Sequence, residues 1–308
     1  MRVATIDIGT NTVLLLVAEG GGNGALRAVA ERATITRLGQ GVDKTRVLAP
    51  DAIARTTACL ESYAQTIREL GVERVAVVGT SAMRDARGGD AIVRAVRETM
   101  GVEARVIPGD EEARLTFRGA LSGMTIASDR AVVFDIGGGS TEIVFAPTTG
   151  AFAPTYARSI DVGSVRLTER HGEDLEALSR AARDAFADVP AVDAGTIPVG
   201  IAGTVTTIAA VSLSLAVYDG AKVHGHVMSR AALESVVRRL ASVDVETRRT
   251  IAGMEPKRAD VIVAGGIIAV SLLEHWGVDA IRVSDRGVRW GLAEEIAFRD
   301  DSSTRTSL

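Results

Sequence analysis

The chain has 308 residues with 35 Lys+Arg against 39 Asp+Glu, a net charge of −4 and a pI near 5.7. That length suits about two domains of 100–200 residues each, and 46% hydrophobic with 24% charged residues is a globular rather than a disordered composition. The acidic balance argues against a nucleic-acid or anionic-membrane surface, but not against a small anionic substrate held by a local basic pocket and a metal.

The first residues, MRVATIDIG, run straight into a strand pattern, so no signal peptide is expected. Val3–Ile8 and Thr12–Glu19 read as strands with Asp7-Ile8-Gly9-Thr10-Asn11 turning between them. A glycine-rich surface turn at 20–24 leads to a third strand, Ala25–Leu38. Pro50 opens a helix with apolar positions Ile53, Leu60, Ile67 and Leu70, closed by Gly71. Cys59 sits among those positions as a buried small hydrophobe. As the single cysteine it excludes an intrachain disulfide and fits a reducing cytoplasm. Strand Val75–Val78, helix Ala91–Met100, strand Arg105–Ile107 and a helix from Gly109-Asp110 to Leu121 follow. The small, polar stretch Ser122–Arg130 reads as a domain boundary.

The second half restarts the pattern. Strands Ala131–Asp135 and Thr141–Ala146 flank Ile136-Gly137-Gly138-Gly139-Ser140. Helical patterns cover Ser164–His171 and Leu175–Ala187, then strand Pro198–Ile201 leads through Gly203 into helix Thr204–Leu213. Helices Arg230–Leu240 and Arg258–His275, strand Ala280–Val283 and helix Val288–Phe298 complete the reading. No run approaches the roughly 18–20 apolar residues of a membrane-spanning helix. The whole is an α/β chain.

ATIDIGTNTVLLLVA, from Ala4, aligns without gaps with VVFDIGGGSTEIVFA, from Val132, placing Asp7 on Asp135 and Gly9 on Gly137. Two such hairpins suggest duplicated domains across a cleft. Glycine turns expose successive N–H groups that suit phosphate oxygens, and a strand-terminal Asp beside them can hold Mg²⁺. Neither copy is a Walker-type loop, because no Gly-Lys-Ser/Thr follows. The competing reading is two plain hairpin turns, where Gly and Asp are favoured anyway.

Gly203-Thr204 sets a glycine turn at a helix N-terminus, another anion site in principle. The acids of Gly109-Asp110-Glu111-Glu112 suit a helix start by capping alone; in a functional reading one of them is a general base. Arg37, Arg84 and Arg87 stand in loops and match phosphate geometry. Gly265-Gly266 allows either close helix packing or backbone approach to a ligand. His224 and His226, read as alternate strand positions, would share one face without a third metal ligand.

These residues taken together resemble the Ppx/GppA phosphatase family, from Arg2 to about Ala297. The likeness runs through Asp7–Thr12, Arg37-Leu38-Gly39-Gln40-Gly41, Gly79–Ala86, Gly109-Asp110-Glu111-Glu112-Ala113-Arg114-Leu115, Asp135–Glu142, Gly203-Thr204 and Gly265-Gly266. The resemblance implies two ribonuclease-H-like domains of the actin, sugar kinase and heat-shock chaperone superfamily facing a central cleft. They would cover 1–124, joined by a C-terminal helix at 288–299, and 125–308. It implies Glu112 as the catalytic base and Mg²⁺, or Mn²⁺, held through Asp7, Asp135 and Glu142. Phosphate contacts would come from Gly9, Thr10, Asn11, Thr12, Arg84, Gly137, Gly138, Gly139, Ser140, Thr141, Gly203 and Thr204.

The activity implied is release of terminal orthophosphate from inorganic polyphosphate. Longer members carry a C-terminal HD-like helical domain; its absence is the expectation here, which would favour short chains or a nucleotide. Removal of the 5′-phosphate of pppGpp in the same site is the alternative. A non-hydrolytic sensor of nucleotide or polyphosphate is the second, and a small-molecule kinase would need an acceptor pocket. A cytoplasmic homodimer, bound to neither nucleic acid nor membrane, is implied as well.

Overall fold

The structure is a computed structural model that describes residues 1–20 and 26–298. The turn expected at 20–24, apart from Gly20, and the polar tail at 300–308 lie outside the described residues. The chain divides into two units. The first takes Met1–Gly123 together with the helix Val288–Ala297, and the second is Met124–Gly287. The second unit therefore ends at Gly287, before the last helix.

The first unit holds a five-stranded sheet of β1 (Arg2–Ile8), β2 (Thr12–Gly20), β3 (Leu26–Ile35), β4 (Arg74–Gly79) and β5 (Ala104–Val106), in the order β3-β2-β1-β4-β5. β1 is antiparallel to β2 and parallel to β4. Alternation along β1 sends Ala4, Ile6 and Ile8 to one face, against the helices Pro50–Glu69 and Gly89–Met100. Val3 faces the opposite way, towards Trp290 and Ala293 of the last helix. A sheet covered on both faces needs near-continuous apolar strands, which is why β1 and β2 read as they do.

The second unit repeats the arrangement with β6 (Arg130–Ile136), β7 (Thr141–Pro147), β8 (Tyr156–Ile160), β9 (Ile197–Ile201), β10 (Val227–Ser229) and β11 (Ala280–Val283). Their order is β10-β11-β9-β6-β7-β8. β6 is antiparallel to β7 and parallel to β9, as β1 is to β2 and β4. Both units have the mixed, ribonuclease-H-like α/β architecture. Trp276 closes the second core, edge-on to Phe134 and Phe145 with ring centroids 5.8 and 5.9 Å away. Such aromatic pairs each add about 0.5–1.5 kcal/mol beyond burial.

Several sequence expectations are corrected. The third strand stops at Ile35 rather than Leu38, because Arg37 turns left-handed (φ 52°). His224 and His226 do not alternate on a strand. His224 ends the short helix Gly220–Val223, its N–H donating to the Gly220 carbonyl, and β10 begins only at Val227. The helix expected from Arg258 starts at Ile262, after a 3₁₀ turn at Pro256–Arg258. β8 escaped the pattern reading because Ala157, Arg158 and Ser159 are all exposed, leaving no apolar alternation to detect.

Candidate active site

Each Asp-Ile-Gly hairpin closes in the same way. The Gly9 N–H donates to the Thr12 carbonyl at 3.1 Å, and the Gly137 N–H to the Ser140 carbonyl at 2.9 Å. The two glycine amides are thus engaged within their turns. The amides that follow are different. Among the described residues, the backbone N–H groups of Thr10, Asn11, Gly138, Gly139 and Ser140 have no hydrogen-bond partner. These amides lie at accessible positions, open to solvent or a ligand, and successive ones can form an anion-binding concavity.

The first turn is braced from two sides. The Gly39 N–H donates to the Thr10 carbonyl at 2.8 Å, and Thr36 and Arg37 N–H groups both reach the Asn11 carbonyl. The Thr10 and Ser81 hydroxyls lie 2.9 Å apart, tying in the loop after β4. The second turn is braced by the helix Ser164–His171, whose Ser164 and Arg166 N–H groups donate to the Gly137 and Gly138 carbonyls. Arg166 Nε adds a bond to the Gly139 carbonyl at 2.7 Å.

Thr141 and Thr204, expected to contact phosphate, sit behind the second turn. Both are buried; the Thr141 hydroxyl donates to the Val162 carbonyl at 2.6 Å and the Thr204 hydroxyl to the Ile136 carbonyl at 2.8 Å. They shape the turn rather than present a hydroxyl to solvent. Gly265 and Gly266 resolve towards packing. A Cβ on Gly265 would meet the side chains of Thr204 and Ser164, and one on Gly266 would strike Val237.

Glu112 stands in the first turn of the helix Gly109–Leu121. Its Oε2 accepts from Arg84 Nη1 at 3.0 Å, and the same nitrogen donates to the Ile107 carbonyl at 2.9 Å. Arg84 comes from the short helix Ser81–Asp85 that follows β4. Glu112 also acts on Asp7 at the end of β1. Burial, then the Glu112 charge, push the Asp7 carboxyl up from its ordinary 3.8 to about 7, against the opposing pull of Arg289. Asp7 as a residue is partly exposed, yet its Oδ1 is inaccessible and has no hydrogen-bond partner among the described residues. An orphaned buried carboxylate oxygen beside a phosphate-type turn is the donor a hard cation takes.

In the second unit Asp135 and Glu142 stand opposite each other on β6 and β7. Glu142 Oε1 accepts from Ser140 Oγ at 2.6 Å and from Ser159 Oγ at 2.7 Å, so this carboxylate is oriented by hydroxyls. Among the described residues no three His, Cys, Asp or Glu side chains gather as a ready-made metal cluster.

Arg289, whose charge opposes the upward shift of the Asp7 carboxyl, was not singled out in the sequence. It sits at the start of the helix Val288–Ala297, is largely buried, and pairs with Glu31 at 2.7 Å. Its carbonyl accepts from the Thr5 hydroxyl at 2.8 Å. A cation in the first turn of a helix opposes the macrodipole; that anomaly was the available signal.

The model of the Ppx/GppA phosphatase family matches residues 16–298. This chain belongs to that family. Exopolyphosphatase 2 of Mycobacterium tuberculosis is 40% identical over 96% of this chain and 98% of its own. The guanosine-5′-triphosphate,3′-diphosphate pyrophosphatase of Vibrio atlanticus is 28% identical over 98% of this chain and 61% of its own. The crystal structure of the Aquifex aeolicus Ppx/GppA family member superposes with a TM-score of 0.82 at 33% identity, covering 96% of this chain and 97% of that one. No described helix of this family member is long and apolar enough to cross a membrane.

Proposed function

We propose that the chain is a Mg²⁺-dependent phosphoanhydride hydrolase that releases terminal orthophosphate from inorganic polyphosphate. The observation that carries the reading is Glu112, paired to Arg84 and coupled by charge to Asp7 beside a turn with unpartnered amides. The family membership and the exopolyphosphatase relative support it.

In this proposal the unpartnered amides of Thr10, Asn11, Gly138, Gly139 and Ser140 receive phosphate oxygens. Arg84 reaches the phosphoryl group while holding Glu112 in place. Glu112 accepts the proton of a water whose oxygen attacks the terminal phosphorus; the anhydride P–O bond breaks, and orthophosphate leaves the shortened chain. Asp7, with Asp135 and Glu142, would supply carboxylate to Mg²⁺ or Mn²⁺, and a bound divalent ion neutralises phosphoryl charge. Positioning and electrostatics of this kind account for most phosphoryl-transfer catalysis. A cytoplasmic homodimer belongs to the same proposal.

The test is orthophosphate release with Mg²⁺ from short polyphosphate, long polyphosphate and pppGpp at equal terminal phosphate. Fastest release from polyphosphate supports the proposal. Preference for pppGpp transfers the same chemistry to the second reading, which the pyrophosphatase relatives favour. Tight binding without release from any of them leaves a sensor and overturns the hydrolase.

A further inference from the structure

Several arginines of the first unit pair with acids, as Arg27 with Glu19, Arg55 with Asp51, Arg97 with Glu103 and Arg105 with Glu111, while Arg32, Arg94 and Arg118 have no ion pair among the described residues. Arg37, whose N–H bonds the first phosphate turn, is unpaired too, and so are Arg46 and Arg87 on the segments that follow it and the Arg84 helix. Arg37, Arg46 and Arg87 are exposed, and among the described residues their guanidinium groups have neither an ion pair nor a hydrogen-bond partner.

Their backbones form one contiguous rim. The Arg37 N–H donates to the Asn11 carbonyl of the first turn. From Arg37 the chain passes Gly39, bonded to Thr10, and the short helix Val42–Thr45 to reach Arg46. The Arg46 carbonyl accepts from the Arg87 N–H at 2.9 Å, and the Arg87 carbonyl from the Leu48 N–H at 3.0 Å. Arg87 follows the short helix that bears Arg84. Arg37 and Arg46 both keep left-handed backbone, with φ of 52° and 54°. Arginine takes that conformation at a cost where Gly or Asn would not. The rim therefore runs from the phosphate turn, through Arg37 and Arg46, to Arg87 and back to the arginine that holds Glu112.

We infer that Arg37, Arg46 and Arg87 form an extended anion subsite for the phosphates beyond the one being hydrolysed. The inference rests on the hydrolase reading for the identity of the site it flanks. Exposed guanidinium groups on separate loops suit a flexible polyanion better than a single phosphate, because each contacts a different phosphate and releases its counterions. Two ligands carry such chemistry: the body of a polyphosphate chain, and the 3′-diphosphate of a guanosine nucleotide.

The experiment compares wild type with R37Q/R46Q/R87Q, and with the charge-preserving R37K/R46K/R87K as a check on folding. Substrates are tripolyphosphate, long-chain polyphosphate, GTP and pppGpp. The expected result is a kcat/KM that falls at least about tenfold further for long polyphosphate than for tripolyphosphate, largely restored in the lysine variant, with a shallower dependence on salt. A differential loss on pppGpp over GTP instead assigns the rim to the 3′-diphosphate. Equal loss on every substrate, or no loss on any, overturns the subsite. Equilibrium binding of long polyphosphate to the same proteins is measured in parallel. If wild type hydrolyses nothing, the hydrolase reading fails, while weaker polyphosphate binding by the glutamine variant still supports the rim and unchanged binding still overturns it.

Discussion

Arg84 Nη1 lies 3.0 Å from Glu112 Oε2 and 2.9 Å from the Ile107 carbonyl, so one nitrogen fixes both the acid and the segment leading into its helix. The pair is about one-third exposed on each side, where an isolated ion pair contributes little to stability. Its value is geometric. Arg84→Ala should leave Tm within about 1–2 °C of wild type and lower kcat more than it raises KM, by roughly tenfold or more. Steady-state kinetics and a thermal melt together check this. A fall in Tm large enough to explain the lost turnover would reduce Arg84 to a structural residue.

Glu112→Gln keeps the size and the hydrogen bond to Arg84 but cannot take a proton. A positioned general base contributes typically about 10²–10⁴-fold, so kcat should drop at least about a hundredfold while polyphosphate still binds. Rapid-quench turnover and titration calorimetry separate the two quantities. Near-normal turnover would falsify the assignment of Glu112.

Asp7 supplies a prediction with a pH sign. Its carboxyl titrates near 7 in the folded protein, raised by burial and then by Glu112, against an ordinary value of 3.8. The folded state therefore binds this proton more tightly than the unfolded chain. The stability this gives is complete below about pH 3.8 and is lost as pH rises through 7, at up to about 1.4 kcal/mol per pH unit. Asp7→Asn removes the buried charge. Without metal, the variant should melt higher than wild type at pH 8, with the gap shrinking at pH 5, and it should be inactive. Added Mg²⁺ should raise the wild-type Tm and leave the variant unmoved. A wild type that outlasts the variant at pH 8 in chelator would count against a strained, metal-ready carboxylate.

The duplicated hairpins were legible because a strand, Asp-Ile-Gly and a second strand carry both apolar pattern and turn chemistry in one short window. Glu112 was different. Capping explains an acid at that helix start equally well, and its significance came from family likeness, then from the proximity to Arg84 and Asp7 that folding creates. Thr141 and Thr204 read as phosphate ligands because sequence cannot say whether a hydroxyl faces solvent or a carbonyl behind the turn. Arg289 was invisible because its partners Glu31 and Asp7 lie more than 250 residues away in sequence.

Gly163 offers a test of how the second turn is held. It precedes the helix Ser164–His171 with extended backbone (φ −149°), so any residue could adopt its conformation. Space is what forbids a side chain. A Cβ there would lie 2.5 Å from the Gly138 carbonyl oxygen and 2.6 Å from the carbonyl carbons of Gly138 and Gly139. These are backbone atoms of the turn itself, with no side chain to swing aside, so Gly163→Ala must move either the turn or the helix. Overpacking of this kind costs about 1–3 kcal/mol, roughly 2–4 °C in Tm per kcal/mol for a unit of this size. Displacing the Gly138 and Gly139 amides should cost activity beyond that. Gly20→Ala, where a Cβ meets nothing within 4 Å, is the control. Assayed well below its Tm, Gly163→Ala should raise KM for polyphosphate at least about threefold. A variant with wild-type KM and Tm would mean that the turn accommodates the extra carbon, and that the helix does not hold it in register.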